Sequence, residues 1–388
     1  MLIFILPSWY KTKQKPGNCI FIYEQAQALR NRGNEVVVLN VAPVSVKECR
    51  LATHKIQKSN DNGIKTYYTE ILSFYPSKLR AVYVKQFETA LMSLLTEAIH
   101  DFGKPDVLYA HFSYPAGYIG TKISKRIQVP IVVEEHYSAL MEKDIDRKLI
   151  PYIRETAKNC QSFLCVSSGL KTAVESIVDQ KLDNIYVVSN MINSCFSFIP
   201  ERKTESFVFF SLGGLIKRKR FDLLIDAFCE EFSHSEKVSL RIAGSGEEYE
   251  NLNKMIMIRG DNRIKLLGQI DRNQTLYEYA NCNCFVLASQ AETYGLVYRE
   301  ALAVGRPIIT TKHGGFDNDN WHPEYGLQID VDDKKQLRCA LRTMFTSFNC
   351  DNRRISEMCL NECSEESIAK QVESYLENAK ETFKGGSL

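Results

Sequence analysis

No stretch of the 388-residue chain approaches the ~20 consecutive apolar residues that a bilayer-spanning helix needs. The opening MLIFILPSWYKTKQK places its apolar run ahead of its charges, the reverse of a secretory signal, so Leu2–Leu6 reads as a buried first strand. The expected location is therefore the cytoplasm. Cysteine is plentiful, at twelve, but it is unorganised. The close pairs Cys160/Cys165, Cys282/Cys284 and Cys359/Cys363 include no C-x2-C unit, and no histidine follows at zinc-finger spacing. Small buried thiols in a reducing compartment are expected, in place of a disulfide frame or zinc site. G-x4-G-K-[ST] is absent, which argues against a P-loop kinase or ATPase. The segment IAGSGEEYE begins like a dinucleotide fingerprint, but Tyr249 stands where G-x-G-x-x-G needs its third glycine. Charge of one sign is lacking too: 49 lysines and arginines against 47 aspartates and glutamates leave +2. No nucleic-acid partner is expected, and the KRKR run at Lys217–Arg220 has no aromatics interleaved with it.

What remains is an ordinary globular composition, 44% apolar and 25% charged, in a chain long enough for two or three domains of roughly 150 residues. Short apolar strands alternate with helical patterns. In the first half the strands are Leu2–Leu6, Glu35–Asn40, Gly63–Tyr68, Asp106–Ala110, Ile131–Glu134, Ser162–Val166 and Ile185–Val188. Runs such as VVVL and FLCV are apolar on both faces, as strands of a helix-covered parallel sheet must be. The alternation then restarts, with strands at Phe207–Ser211, Val238–Ile242, Arg263–Leu267, Cys284–Leu287 and Pro307–Thr310. Repeated strand–helix–strand order predicts an α/β protein of two similar units. Polar, proline-containing Asn193–Glu205 reads as the linker between residues 1–192 and 206–364. A last helix is expected over Glu366–Phe383, followed by a frayed KGGSL tail.

In open α/β sheets ligands bind beyond the carboxyl ends of the strands. After Cys284–Leu287 comes ASQAETYGLVYREALAVGRPIITTKHGG, with Glu292 in the loop and Glu300 one turn into the next helix. Tyr294 and Gly295 lie between them, where helix N–H groups can meet an anion. One carboxylate can accept from ribose hydroxyls while the other faces a sugar. Gly314 and Gly315 follow the next strand and would let backbone approach a ligand closely. Two glutamates eight apart are, taken alone, more often solvated surface charges; their setting in this string argues otherwise. In FFSLGGLIKRKRFDLLIDAF four cations are expected to open an amphipathic helix, where the dipole disfavours them, so a nearby diphosphate would explain them. Gly244 and Gly246 read as a strand-to-helix turn. In the first half, His111 ends the strand Asp106–Ala110, and Glu135 and His136 end the next, at the same edge.

At these residues the chain resembles glycosyltransferase family 4, retaining enzymes of the GT-B fold. The likeness spans nearly the full length and is strongest over Ser289–Gly315, where the family's E-x7-E element stands as ETYGLVYRE ahead of GRPIITTKHGG. PSWY, FIYEQAQALRNRGNEVVVL, YAHFSYPAG, EEHYSA and VVSNMIN also match, the first two most like the branch that builds bacterial surface and capsular polysaccharides. The resemblance implies two Rossmann-like domains with parallel sheets facing a central cleft, and a final helix, 365–388, packing back toward the N-terminal domain. It implies that Glu292 contacts the transferred sugar, Glu300 holds the ribose, and Lys219 binds the donor diphosphate; Arg218 is the candidate to stand in for the family arginine that this chain lacks. Thr293, Tyr294, Gly295 and Leu296 would bring the loop and its N–H groups to the phosphates. His111 corresponds to the histidine near the reacting sugar, and Gly17 and His136 fall on the acceptor side. Where the family usually reads G-R-L-x-x-x-K-G this chain has GGLIKRKR, so Gly214 takes the arginine position and Arg220 the final glycine. Cys19 replaces a glycine that often precedes F-I-x-E-Q-A.

The expected reaction moves a sugar from a nucleoside diphosphate to a glycan or lipid-linked hydroxyl with retention. Fixed cations would stabilise the leaving diphosphate. Neither D-x-D sequence, Asp144-Ile145-Asp146 or Asp317-Asn318-Asp319, stands in a suitable place, so no cofactor and no essential metal are expected. A nucleotide-sugar epimerase and a catalytically silent nucleotide-binding protein are the rival readings. Lys78, Arg80 and Lys85, set among aromatics in FYPSKLRAVYVKQFETALMSLL, raise contact with an anionic membrane at the inner face; an ordinary amphipathic surface helix is the plainer alternative.

Overall fold

A computed structural model describes residues 1–12, 17–45, 52–73, 80–141, 145–201, 205–232, 237–316 and 321–383. Lys78, Asp144, the Asp317–Asp319 triplet and the KGGSL tail lie outside the described residues. The chain divides into two compact units, Met1–Met191 with Glu365–Leu388, and Ile192–Ser364. The segment 193–205 belongs to the second.

The first unit is built on an eight-stranded sheet. Its strands are β1 (Leu2–Pro7), β2 (Glu35–Ser45), β3 (Gln57–Asp61), β4 (Ile64–Ser73), β5 (Val107–His111), β6 (Ile131–Glu135), β7 (Ser162–Cys165) and β8 (Ile185–Val187), in the order β3-β4-β2-β1-β5-β6-β7-β8. Every neighbouring pair is parallel except β3 with β4. The apolar runs of β1, β2, β5 and β6 are buried on both faces, because helices α1 (Ile20–Asn31), α2 (Arg80–Phe102), α3 (Tyr118–Ile127), α4 (Ile150–Asn159) and α5 (Ser168–Val178) supply the crossovers and the covering layers. β3 was not expected. Its sequence, QKSND, is polar and exposed throughout, and only the ladder to β4 makes it a strand.

The second unit carries a six-stranded all-parallel sheet, β11-β10-β9-β12-β13-β14. The strands are β9 (Phe207–Leu212), β10 (Val238–Ala243), β11 (Ile264–Gly268), β12 (Cys284–Val286), β13 (Ile308–Thr311) and β14 (Gly326–Ile329). Its helices are α6 (Phe221–Glu231), α7 (Tyr249–Arg259), α8 (Arg272–Asn281), α9 (Leu296–Ala303), α10 (Lys334–Thr346) and α11 (Asn352–Cys363). β14, α10 and α11 also went unexpected, although Asp333 and Asp351 cap the two helices and Leu337, Ala340, Leu341 and Met344 mark a buried face of α10. The last helix, α12 (Glu365–Thr382), belongs to the first unit, where Ile368, Val372 and Leu376 join its core and Glu373 pairs with Arg32 at 2.6 Å. Among the described residues no helix is long and apolar enough to cross a membrane. The described cysteines are all free; six of them are buried, and Cys339 is exposed.

Candidate functional site

In the second sheet the strand order reverses at β9, which has β10 on one side and β12 on the other. Loops leaving β9 and β12 therefore border the crevice where such sheets bind ligands. They carry the two sequence clusters. The four cations do not open α6, contrary to expectation. Lys217–Lys219 form a single 3-10 turn, Arg220 takes a left-handed conformation (φ 52°), and the helix starts at Phe221. Two of the four are met by carboxylates of the same unit. Lys219 pairs with Glu292, and Arg220 with Asp332 and Asp222. The backbone carbonyl of Arg218 accepts from Gln290 N–H at 2.9 Å, fastening one loop to the other.

The Lys219–Glu292 pair is largely enclosed, with side chains 14% and 12% exposed. Burial alone would raise the Glu292 carboxyl; Lys219, His313 and a 2.7 Å bond from the Ser289 hydroxyl outweigh it and hold it below the usual range. Glu300 lies on α9 and accepts from the Tyr279 hydroxyl at 3.1 Å. Between the glutamates, Thr293 is half-buried and the Tyr294 side chain is buried. Gly295 caps α9 at φ 76° and Leu296 is its first residue, which leaves first-turn N–H groups without intrahelical partners. A Cβ on Gly315 would stand 2.4 Å from the Glu292 carbonyl oxygen, and one on Gly244 would stand 1.9 Å from that of Gly213. Both glycines thus let backbone press on a site loop. Gly214 is different: it is exposed, and a Cβ there meets nothing within 4 Å. Ser289 and His313, which were not singled out from sequence, complete the cluster.

The first sheet reverses at β1, between β2 and β5. His111 ends β5, and His136 follows β6. Their rings meet through Nδ1 and Nε2 at 3.1 Å. Glu135, the glutamate picked out from sequence, is saturated: it accepts from Ser113 N–H and hydroxyl and from the His136 and Tyr137 N–H groups. Its neighbour Glu134 is the one that reaches the histidines. Glu134 is the register partner of His111 across the parallel pair, which puts both on one face, and Glu135 on the other. Glu134 Oε2 lies 3.9 Å from His111 Nδ1 and accepts from the Tyr109 hydroxyl and from Gln25 Nε2. Burial pushes its carboxyl up to about 7, although both donors act the other way. Burial also drives the His111 imidazole well below its ordinary value, with His136 adding to the effect, and takes His136 down to about 3 against the nearby Asn190 side chain. Gly17 is exposed and precedes α1, whose Phe21 ring lies 4.7 Å from that of His136. Among the described residues, His111, Glu134 and His136 are also the one trio whose ligand atoms lie within 4.8 Å of one another, as a metal would need.

Comparison with known proteins matches residues 20–194 to the model of Glycosyltransferase Family 4 and residues 196–357 to that of Glycosyl transferases group 1. Mannosylfructose-phosphate synthase of Agrobacterium fabrum is 30% identical over 300 residues, covering 66% of this chain and 65% of that protein. The chain spans 57%, 65% and 64% of the length of three curated relatives that it matches. Among solved structures, sucrose-phosphate synthase from Thermosynechococcus elongatus superposes with a TM-score of 0.77 at 16% identity, covering 97% of this chain and 99% of that one. Anabaena HepE in complex with UDP and glucose gives 0.74 at 16% identity, covering 97% and 100%. At such identity the likeness establishes the fold: two Rossmann-like units, as in GT-B glycosyltransferases.

Proposed function

The chain belongs to glycosyltransferase family 4, and we propose that it moves a sugar from a nucleoside-diphosphate sugar to a glycan or lipid-linked hydroxyl with retention at the anomeric carbon. The observation that carries this reading is the pair of loops at the second sheet's reversal, where Lys219 and Glu292 face each other beside the N-terminus of α9. A diphosphate arriving there offers Lys219 a stronger partner than one carboxylate. Its transfer to the phosphates frees Glu292 to accept from hydroxyls of the sugar. Glu300 accepts from the ribose, and Arg218 and the first N–H groups of α9 complete the anion site. As the glycosidic bond breaks, charge grows on the departing diphosphate where these groups are already aimed, an arrangement worth about 3–4 kcal/mol per strong donor. HepE's complex with UDP and glucose supports a nucleotide-sugar donor.

Because cations of the chain itself meet the phosphates, turnover is proposed to need no metal. Loss of activity in EDTA, restored by a divalent ion, would overturn that and turn attention to His111, Glu134 and His136. Action in the cytoplasm, at the inner face of the membrane and in surface-polysaccharide synthesis, belongs to the same proposal. On α2, Lys85 and Val82 are exposed for lipid contact, whereas Arg80 is bonded to Asp146 at 2.6 Å. Liposome co-sedimentation unchanged by Lys85→Glu would remove the membrane from the account.

The deciding experiment is a thermal-shift panel of UDP, GDP, ADP and their common sugars against wild type and Glu300→Ala. Stabilisation by one nucleotide family, lost in the variant, is expected. No shift with any nucleotide would sink the functional reading while leaving the fold intact.

A further inference from the structure

Unused hydrogen-bonding capacity in the first unit is gathered around one histidine. His111 is fully buried, yet its Nε2 has no hydrogen-bond partner; Glu134 Oε1 and His136 Nδ1 are buried and unpartnered too. Leaving such an atom unpaired forfeits its hydration without return, so a native chain seldom keeps one without a use. The 3.1 Å contact between His111 Nδ1 and His136 Nε2 needs a proton on one nitrogen and a lone pair on the other. Glu134 decides which. Its Oε2, held by Tyr109 and Gln25, lies 3.9 Å from His111 Nδ1, and the negative potential of that oxygen favours a proton on the nitrogen. A bare Nδ1 would face that oxygen lone pair to lone pair. A protonated Nδ1 instead donates to His136 Nε2 with the Glu134 oxygen close by. With His136 Nε2 accepting from His111, the proton of a neutral His136 ring sits on Nδ1.

We propose that His136 and Glu134 are positioning residues that hold His111 as its Nδ1–H tautomer, so that the bare Nε2 accepts a hydrogen bond from a substrate hydroxyl. Two imidazolium rings could not make the 3.1 Å contact, because one of the two nitrogens has to accept. That the hydroxyl belongs to a sugar rests on the glycosyl-transfer function proposed above; the tautomer does not.

The test is long-range proton–nitrogen NMR on the full chain labelled with 15N-histidine at neutral pH, with His111 assigned by the signals lost in His111→Asn. A protonated Nδ1 and a bare Nε2 are expected, and a proton found on Nε2 overturns the proposal. His136→Leu, which removes the acceptor, should populate the opposite tautomer. His136→Gln, whose carbonyl can accept in its place, should return the wild-type pattern. A wild-type pattern in the leucine variant would deny His136 any positioning role. Should either variant fail to give a cooperative melt, the wild-type spectrum still decides the tautomer. A correct tautomer in a protein that binds no nucleotide would sink the functional reading and leave this one standing.

Discussion

The two candidate sites sit at equivalent places in two similar sheets and solve opposite problems. In the second unit, buried charge is balanced by buried charge: Lys219 against Glu292, with Ser289 and His313 in support. In the first, the histidines are kept neutral and leave hydrogen-bonding atoms unspent. A site that is charged but paired can exchange one partner for an anionic ligand at little cost. A site that is neutral and underbonded gains from a hydroxyl, which brings no charge with it. The same architecture thus carries a charged, paired cluster on one sheet and a neutral, underbonded one on the other.

The largest expected effect breaks the charged side. Lys219→Ala should lower turnover by about 10²–10³-fold and, by stranding a buried carboxylate, cost about 3–5 kcal/mol in urea unfolding. The double change Lys219→Met with Glu292→Gln should recover most of that stability and none of the activity; recovery of activity would show that the pair has no role with the donor. Next comes Gly214→Arg. The open space at Gly214 accommodates the family's arginine, and a new charge-assisted bond should tighten donor binding about tenfold by calorimetry. An unchanged affinity would mean that the phosphates do not pass this loop.

The neutral side is tested by acid. An unfolded histidine takes up a proton near pH 6.5, whereas burial makes folded His111 and His136 resist it, so their contribution is present above that pH and lost as pH falls below it, for His136 until about pH 3. Each refused proton steepens the decline by up to ~1.4 kcal/mol per pH unit. His136→Gln should flatten the urea-measured slope between pH 6 and 4 by one such share, and an identical slope would show that His136 titrates normally when folded. The smallest effect concerns neither ligand. Cys19 adopts φ 46°, a conformation glycine takes without strain, so Cys19→Gly should raise stability by about 0.5–1 kcal/mol. A lower melting temperature would mean that the thiol's packing outweighs the backbone.

Much of this was legible in the sequence, for particular reasons. Strands buried on both faces, such as Val36–Leu39, announce themselves as apolar runs, and the family motifs point to Lys219 and Glu292, which the structure pairs. Polar β3 carries no such signal, because its ladder to β4 alone defines it. Glu134 was passed over for Glu135 because alternation along a strand fixes opposite faces without saying which face holds the site; the pairing of Glu134 with His111 supplies that. The cations at Lys217–Arg220 were placed on a helix because sequence does not show a left-handed turn at a non-glycine residue. Both departures from the family's glycines, Cys19 and Arg220, keep positive φ, so the backbone preserved a shape that the side chains no longer advertise.

The return of α12 to the first unit has a consequence for how the protein is made. Ile368, Val372 and Leu376 fill a core whose other walls are laid down before residue 192. During synthesis the second unit, continuous from Ile192 to Ser364, can close as soon as it emerges, while the first must wait with an apolar face unsealed. The unit begun first is therefore finished last. A fragment ending at Met191 should be dependent on chaperones and prone to aggregate, whereas the same fragment with residues 365–383 tethered by a flexible linker should fold.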